Sequence, residues 1–266
     1  MKKVAVVGFG FMGKTHALHI LNNPNLELVA IVDKNPDAVA KGLGPMEGNL
    51  STGFTDPGAL KKIRTYTTME ECIKKEHPDA LHVCVHTNLH YVMVKEALSQ
   101  GLHVLVEKPF CIDPAEGEEL IGLAESKGAL LMVAHVVRFM PPYKMLKEWV
   151  DEGKYGKLKF LSLSRFSGIP EWGEWKDKQK TYGSSGGALF DLVVHDIDYA
   201  MDVAGDPHHI SGDYLPGKLS AHDYLNALWR YDDRDLVVRI EGGNIFHAPF
   251  PFQAGFKALF EQASLS

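Results

Sequence analysis

The sequence predicts two domains, an α/β domain with a doubly wound parallel sheet over residues 1–137 and an α+β domain over residues 138–266. In the first half, short β-branched runs alternate with segments of helical periodicity, as in a parallel sheet with helices on both faces. Near residue 140 this alternation stops, and strand-like runs follow with one long helix among them. A chain of 266 residues is long enough for two such domains.

The elements of the first half follow one another in a regular order. Strands are predicted at KVAVVGF, LELVAIVD, DALHVCV, HVLVEKP and ALLMVAHV, and helices at MGKTHALHILNN, MEECIKKE, NLHYVMVKEALSQG and DPAEGEELIGLAESKG. The last of these helices has Asp113 as N-cap and Pro114 at its first position, where both residue types are favoured. Residues 41–60 are rich in Gly and Pro and fit neither pattern, so they are predicted to form a loop or an insertion.

The second half begins with a helix that starts at a proline pair, in PPYKMLKEWVDEGKYG. Strand-like runs follow at KLKFLSLSRF, HHISGDYL, DYLNALWRYDD and RDLVVRIEGG. A short charged turn joins the last two runs, which predicts an antiparallel hairpin. A long apolar helix is predicted from about Gly187 to Val203.

Composition excludes several classes of protein. The net charge is −6 and no basic stripe occurs, which argues against nucleic-acid binding. No run of about 18 apolar residues is present, so a transmembrane helix is not expected. The three cysteines have no paired spacing, which favours free thiols in a reducing compartment and predicts a cytoplasmic protein.

A glycine-rich loop, GFGFMG, follows the first predicted strand and opens a helix. In this context Gly8 allows a tight turn, Gly10 allows close approach of a pyrophosphate, and Gly13 allows the helix to pack against the sheet. The start of the helix, at Phe11 and Met12, offers N–H groups and the positive end of a dipole to phosphates. The loop therefore predicts a dinucleotide-binding site of the Rossmann type.

An acidic residue occurs where this motif requires one. Asp33 ends the second strand about 20 residues after Gly13 and can accept hydrogen bonds from ribose hydroxyls. Its charge would repel a 2′-phosphate, so NAD is the expected cofactor, although Lys34 leaves NADP as an alternative. The structural alternative is a glycine-rich turn in which Asp33 caps a helix.

The strand HVLV ends in Glu107-Lys108-Pro109. Ligands of open α/β sheets bind beyond the carboxyl ends of the strands. Because Pro109 restricts the residue before it to extended geometry, and could itself adopt a cis bond, the Lys108 side chain is held in one direction. The alternative is a lysine that simply extends into solvent.

One face of the predicted long helix is polar. Asp191, His195, Asp198 and Asp202 lie at i, i+4, i+7 and i+11, and such a stripe on an apolar helix needs water, partners or a ligand. Asp191 can orient a substrate or an imidazole, and His195 can take a proton near neutral pH. A solvent-facing stripe is the alternative. Zinc binding is a further one, but the sequence lacks the ligand spacing of a metal site, and none is predicted.

Four stretches together resemble the glucose–fructose oxidoreductase and inositol dehydrogenase (Gfo/Idh/MocA) family. They are GFGFMGKTHA, HTNLHYVMVKEALSQGLHVLVEKPF, VRFMPPYKMLKEWVDEGKYGKL and GGALFDLVVHDID, in the order found in the family. The resemblance implies a Rossmann domain followed by a domain with a large, mostly antiparallel sheet. It also implies an NAD(P)-dependent dehydrogenase that acts on a CH–OH group of a sugar, cyclitol or related polyol.

The resemblance assigns a role to individual residues. Lys108 would lie beside the nicotinamide and hydrogen-bond the reacting oxygen, while His195 takes the hydroxyl proton and Asp191 holds another hydroxyl or the imidazole. The remaining positions are expected to contact the cofactor, at Thr87, Asn88, His90 and Glu107, or the substrate, at Arg138 and Trp172. Some relatives bind a nucleotide and act as regulators without turnover, and this stays the alternative.

The last residues depart from the family pattern. Members usually continue further after the point that matches APFPFQAGFKALFEQASLS, and this stretch resembles the lead into a helix. The second sheet is therefore expected to lack a strand or a helix. An exposed sheet face would favour a homodimer or homotetramer.

Overall fold

The computed structural model describes residues 1–35, 37, 39, 60, 62–169, 186–247 and 249–266. The chain separates into two compact units, Met1–Ala134 and His135–Ser266. Most of the predicted insertion, residues 41–59, lies outside the described residues, as does Trp172. Across the described ranges, no helix combines the length and apolar character needed to span a membrane.

The first unit contains, within its described residues, a six-stranded parallel sheet. Its strands are β1 (Lys2–Val7), β2 (Leu26–Val32), β3 (Arg64–Tyr66), β4 (Ala80–Val83), β5 (His103–Val106) and β6 (Leu131–Val133). The order β3-β2-β1-β4-β5-β6 reverses direction between β1 and β4, and this is the Rossmann arrangement. The predicted fold class is confirmed for this unit.

Helices connect these strands. They are α1 (Phe11–Leu21), α2 (Met69–Glu76), α3 (His90–Ser99) and α4 (Pro114–Lys127), and a short 3-10 helix covers Thr87–Leu89. The predicted cap of α4 is confirmed, because the Asp113 carboxylate accepts a 2.9 Å hydrogen bond from the N–H of Ala115 and Pro114 occupies the first position.

Both faces of the first sheet are buried. Along β1, Val4 and Val6 belong to one apolar cluster, whereas Ala5 and Val7 belong to another on the opposite face. Successive side chains of a strand point to opposite faces, so a strand buried on both sides reads as a continuous apolar run. This is why the strands of the first half were recognisable from sequence.

The second unit contains, in its described part, a six-stranded mixed sheet of order β12-β11-β7-β10-β9-β8. Its strands are β7 (Leu158–Gly168), β8 (His209–Leu215), β9 (Tyr224–Arg230), β10 (Val237–Phe246), β11 (Gln253–Phe260) and β12 (Ser264–Leu265). Strands β7 and β10 pair in parallel, and the other described pairs are antiparallel, including the predicted β9–β10 hairpin.

The helices of the second unit pack with one face of this sheet around a single apolar cluster. They are a 3-10 helix (Val136–Phe139), α5 (Pro141–Asp151), a π-helical segment (Leu189–Val193) and α6 (Val194–Ala204), which follows the π-helical segment directly. The predicted long helix is thus present, but its first part has π-helical hydrogen bonding.

The expectation that the last stretch leads into a helix is wrong for residues 253–260, which form β11 and pair antiparallel with β7. The physical reason is the burial pattern. Ala258 and Phe260 are buried, whereas Lys257 and Leu259 between and beside them are exposed, and this alternation is that of a strand with one covered face.

Candidate active site

The glycine loop in the first unit has the geometry that its sequence predicts. Gly8 has a φ of +89°, and a methyl group there would lie 2.6 Å from the carbonyl oxygen of Cys84. At Gly13 a methyl group would overlap the carbonyl oxygen of Gly8, so the helix can approach the loop only without a side chain. At Gly10 no described atom lies within 4 Å of such a methyl group, which leaves room for a ligand.

Asp33 is bound to the loop. Its Oδ2 accepts a 2.7 Å hydrogen bond from the N–H of Phe9, and its Oδ1 accepts a 2.8 Å bond from the N–H of Asn35. The carboxylate therefore stands at the end of β2, directly beside the glycine turn. Each of its oxygens keeps a second lone pair, so a hydrogen bond from a ribose hydroxyl, as predicted, is compatible with this position.

The start of α1 is suited to an anion. The helix begins at Phe11 after the exposed Gly10, and its first turn carries no acidic residue. The first N–H groups of a helix have no intrahelical acceptor and carry the positive end of the dipole. Phe11 and Met12, both half-buried, thus present backbone donors to the space that the Gly10 side leaves open.

The turn after β4 holds the predicted cofactor-side residues. Thr87 is half-buried and Asn88 is exposed in the 3-10 helix, so both can meet a ligand. His90 is buried, and its Nδ1 lies 2.8 Å from the Pro109 carbonyl oxygen while its Nε2 lies 3.1 Å from that of Val85. The His90 side chain thus links the turn after β4 to the Glu107-Lys108-Pro109 segment. A direct contact of His90 with a cofactor stays a prediction.

Lys108 stands at the carboxyl end of β5 and is half-buried, with a cis bond to Pro109. The carboxylate before it points inward, since Glu107 is only 6% exposed. Its Oε1 lies 2.8 Å from Nε2 of His16, and its Oε2 accepts a 3.2 Å hydrogen bond from the N–H of Lys108. A cofactor contact by Glu107 is likewise still a prediction.

Two histidines near this strand end were not predicted as functional. His16 of α1 lies between Glu107 and His82 of β4, with 3.1 Å between the two Nδ1 atoms. Burial, with a smaller contribution from His16, lowers the pKa of His82 to about 3, so this ring is neutral at physiological pH. No local pattern marks these residues, because their partners come from distant parts of the chain.

In the second unit, Asp191 lies in the π-helical segment and His195 in the first turn of α6. Both side chains are half-buried. A π-helical turn bonds residue i to i+5 and is frequent at functional sites, where it shifts the direction of side chains relative to a regular helix. The predicted catalytic pair therefore stands where the helix changes its hydrogen-bonding pattern.

Asp198 and Asp202 of the polar stripe form ion pairs within the protein. Arg138 donates from Nε to Oδ2 of Asp198 at 2.7 Å and from Nη1 to Oδ1 of Asp202 at 3.0 Å. These ion pairs account for the polar residues Asp198 and Asp202 on this helix without a ligand. The Arg138 side chain is still 39% exposed, so its predicted contact with a substrate stays open to test.

A buried ion pair joins Arg165 to Asp196, the residue that follows His195, and it was not predicted from the sequence. Arg165 donates from Nε and Nη2 to the two oxygens of Asp196 at 2.7 and 3.2 Å. Asp196 is fully buried, and burial raises its pKa above the usual range although Arg165 opposes this. A signal existed, because Arg165 continues the inward-facing row of Leu161 and Leu163 along β7.

Metal ligands do not cluster in the part of the chain that the structure describes, where no three His, Cys, Asp or Glu side chains are placed to hold an ion. The three cysteines, all within the described ranges, are free thiols.

Comparison with known proteins decides the family. The model described as "Oxidoreductase family, NAD-binding Rossmann fold" matches residues 2–135, and that of the "GFO/IDH/MocA C-terminal domain" matches residues 143–256. The chain belongs to the Gfo/Idh/MocA oxidoreductase family. The resemblance seen in the sequence is confirmed, and so is an NAD-binding Rossmann domain.

Some of the curated relatives are named as dehydrogenases. D-glucoside 3-dehydrogenase of Escherichia coli is 31% identical over 208 residues, which cover 77% of this chain and 54% of the relative. The scyllo-inositol 2-dehydrogenase (NADP(+)) of Bacillus subtilis is 28% identical over 252 residues, which cover 94% and 64%. The chain thus spans about half to two thirds of the length of these two relatives.

Solved structures confirm the fold. A putative myo-inositol dehydrogenase from Sinorhizobium meliloti superposes with a TM-score of 0.81 at 18% identity, covering 100% of this chain and 75% of that one. GenD2 from gentamicin A biosynthesis, in complex with NAD, superposes with a TM-score of 0.80 at 20% identity, covering 99% and 71%.

Proposed function

We propose that the protein is an NAD(P)-dependent dehydrogenase that moves hydride between nicotinamide and a secondary alcohol or ketone of a sugar, cyclitol or related polyol. The observation that carries this proposal lies in the first unit. The glycine loop after β1 and Lys108 after β5 stand at the carboxyl ends of strands in one parallel sheet, the edge where Rossmann folds bind ligands. Family membership and the names of the relatives support the reaction class.

The residues of the first unit fit a dinucleotide. The open side of Gly10 and the N–H groups of Phe11 and Met12 would hold the pyrophosphate, and Asp33 would accept a hydrogen bond from the adenosine ribose. The charge of Asp33 favours NAD over NADP. When it is bound, the nicotinamide supplies the hydride acceptor.

The chain supplies position, charge and a proton acceptor. The ammonium group of Lys108 would donate a hydrogen bond to the reacting oxygen and stabilise the negative charge that develops there. His195 would accept the hydroxyl proton, and Asp191 would hold a second hydroxyl or orient the imidazole. Arg138 and Trp172 stay the predicted substrate contacts.

The protein's environment is part of the proposal. We expect it in the cytoplasm, acting on a small molecule without nucleic-acid or membrane partners. A homodimer or homotetramer is expected, and the exposure of every residue of β8 at one edge of the second sheet supports a partner there. Light scattering coupled to gel filtration would measure the assembly.

The decisive experiment is a panel of sugars, cyclitols and their keto forms with NAD and NADP, followed by the absorbance of the reduced cofactor. With the substrate found, Lys108→Met should lower kcat by about 100-fold to 1,000-fold, as for loss of one oxyanion donor, while the chain still binds NADH. Lys127→Met, at an exposed lysine that ends α4, is the matched control and should leave kcat unchanged.

Two outcomes would argue against the dehydrogenase. Unchanged turnover in Lys108→Met would remove the lysine from the mechanism. NADH binding without turnover of any panel member would favour the alternative, a nucleotide-binding regulatory protein.

A further inference from the structure

The inward-pointing Glu107 joins three parts of the first unit. Its Oε1 contacts His16 of α1 at 2.8 Å, its Oε2 accepts from the backbone of Lys108 at 3.2 Å, and His16 in turn contacts His82 of β4 at 3.1 Å. The side chains of His16 and Glu107 are 10% and 8% exposed. In such a dry setting each of these hydrogen bonds is costly to lose.

The direction of the hydrogen bonds follows from chemistry. A carboxylate can only accept, so Nε2 of His16 carries a proton toward Glu107. The contact between the two Nδ1 atoms then needs one hydrogen, which His82 donates when His16 is neutral. The imidazole of His16 is therefore held from both sides in one orientation.

The position of His16 gives this arrangement a consequence. The helix α1 begins at Phe11, immediately after the glycine loop, and His16 lies on its second turn. Glu107 directly precedes Lys108, and its carboxylate bonds the Lys108 backbone. A shift of α1 when a phosphate binds to its N-terminus would thus be transmitted to the segment that carries the lysine.

We propose that His16 is a positioning residue that couples nucleotide binding at the glycine loop to the placement of Lys108. The coupling rests on the proposed function, since it requires a nucleotide at the loop. It goes beyond that function by assigning a role to His16, a residue that the proposed function does not use. The role is carried through Glu107, which would act inside the protein.

The test uses the full chain and ADP, which has the adenosine and two phosphates but no nicotinamide or second ribose. The acetylation rate of the Lys108 amine is measured by mass spectrometry with and without saturating ADP, and ADP affinity is measured by calorimetry. In the wild type, ADP should slow acetylation of Lys108 by about 5-fold or more, the lower end of typical couplings between sites. The acetylation rate of the exposed Lys127 should not change.

Variants of His16 separate positioning from folding. In His16→Asn the shorter side chain cannot reach Glu107, and the effect of ADP on Lys108 should fall below about 1.5-fold while ADP still binds. His16→Gln can place an amide N–H toward Glu107 and should restore most of the effect. His19→Asn, at an exposed histidine of the same helix, is the matched control and should behave as the wild type.

The outcomes are distinguishable. If ADP does not bind to the wild type, the proposed nucleotide site fails and the coupling fails with it. If ADP binds but leaves Lys108 acetylation unchanged, or if His16→Asn keeps the full effect, the coupling is wrong while the proposed function stands. An unfolded His16→Asn chain would still leave the wild-type response and the recovery in His16→Gln as deciding measurements, and absence of either would overturn the proposal.

Discussion

Both units bury a carboxylate that neighbours, in sequence, a residue with a proposed catalytic role, but the carboxylates have different partners. Glu107, next to Lys108, contacts the imidazole of His16. Asp196, next to His195, is held by two hydrogen bonds from the guanidinium of Arg165. In the first unit the partner is an imidazole, whereas in the second it is a guanidinium that donates to both carboxylate oxygens.

The difference predicts which kind of change, a substitution or a shift in pH, destabilises each unit most. In a buried carboxylate–guanidinium pair, a substitution that removes one partner leaves the other charge buried without compensation. A buried cluster with a neutral histidine loses stability when acid forces a proton onto that ring. We expect the second unit to respond most strongly to mutation and the first to respond to pH.

The largest expected effect is the loss of one partner in the second unit. Asp196→Ala leaves the Arg165 charge buried without compensation and should lower the free energy of unfolding by about 3–5 kcal/mol in urea denaturation. The double variant Asp196→Leu/Arg165→Met, which replaces the pair by apolar side chains, should recover most of this loss.

The matched control for that pair lies on the surface. Asp151→Ala removes the exposed i,i+4 partner of Lys147 and should change the free energy of unfolding by no more than about 0.5 kcal/mol. If Asp196→Ala were as mild as Asp151→Ala, the contrast between the two units would disappear.

A smaller effect is expected from the glycine loop, where the first unit depends on close approach of backbone atoms and not on charge. Gly13→Ala forces a methyl group onto the Gly8 carbonyl oxygen and should cost about 3 kcal/mol of unfolding free energy. Gly10→Ala meets no described atom within 4 Å and should leave stability within about 0.5 kcal/mol.

For nucleotide affinity, in contrast to stability, Gly10 should be an important position. Because the open side of Gly10 is where a pyrophosphate would approach, Gly10→Ala should weaken NADH binding by at least about 10-fold, measured by fluorescence titration. Equal NADH affinity in Gly10→Ala and the wild type would show that the nucleotide does not bind against Gly10.

The expected effect that addresses pH concerns His82. Its folded pKa of about 3 lies below the usual value near 6.5, so between these pH values the unfolded chain binds a proton that the folded chain does not. Its contribution to stability is complete above pH 6.5 and is lost as the pH falls toward 3. At pH 4 the loss should be about 3 kcal/mol relative to pH 7.

The His82→Gln variant isolates this contribution, because glutamine does not titrate. Urea denaturation at pH 7 and pH 4 should show a smaller loss of stability in His82→Gln than in the wild type, while titration of other groups largely cancels in the comparison. His19→Gln, at an exposed histidine, should keep the wild-type pH dependence. A wild-type pH dependence in His82→Gln would show that the buried ring is not the acid-sensitive element.

Much of the fold could be predicted from sequence where both faces of a strand are covered. In β1, β4 and β5 continuous apolar runs and the glycine loop leave little ambiguity. Strand β3 was missed because Arg64–Tyr66 is three residues long and lies at a partly exposed edge. Strand β11 was misread because its apolar residues also suit a helix, and pairing with β7 decides its conformation.

The candidate site was predictable where a motif is local. Short local motifs predict Gly8, Gly13, Asp33 and Lys108. The partners that hold such residues in place were not predictable, since the contact of Glu107 with His16 joins positions far apart in the chain. The π-helical segment at Asp191 could not be predicted either, because no amino-acid composition distinguishes it from the α-helix that follows.

The parallel pairing of β7 with β10 bears on how the protein is made. Within β7, Phe160 pairs with Val237 and Ser164 pairs with Gly255, so both neighbours of this strand are synthesised long after it. The first unit, by contrast, has all its described strands by residue 133. During translation we expect the first unit to reach its native state before the strands that pair with β7 have been synthesised. In that interval the unpaired edges of β7 are a site for chaperone binding or misassembly.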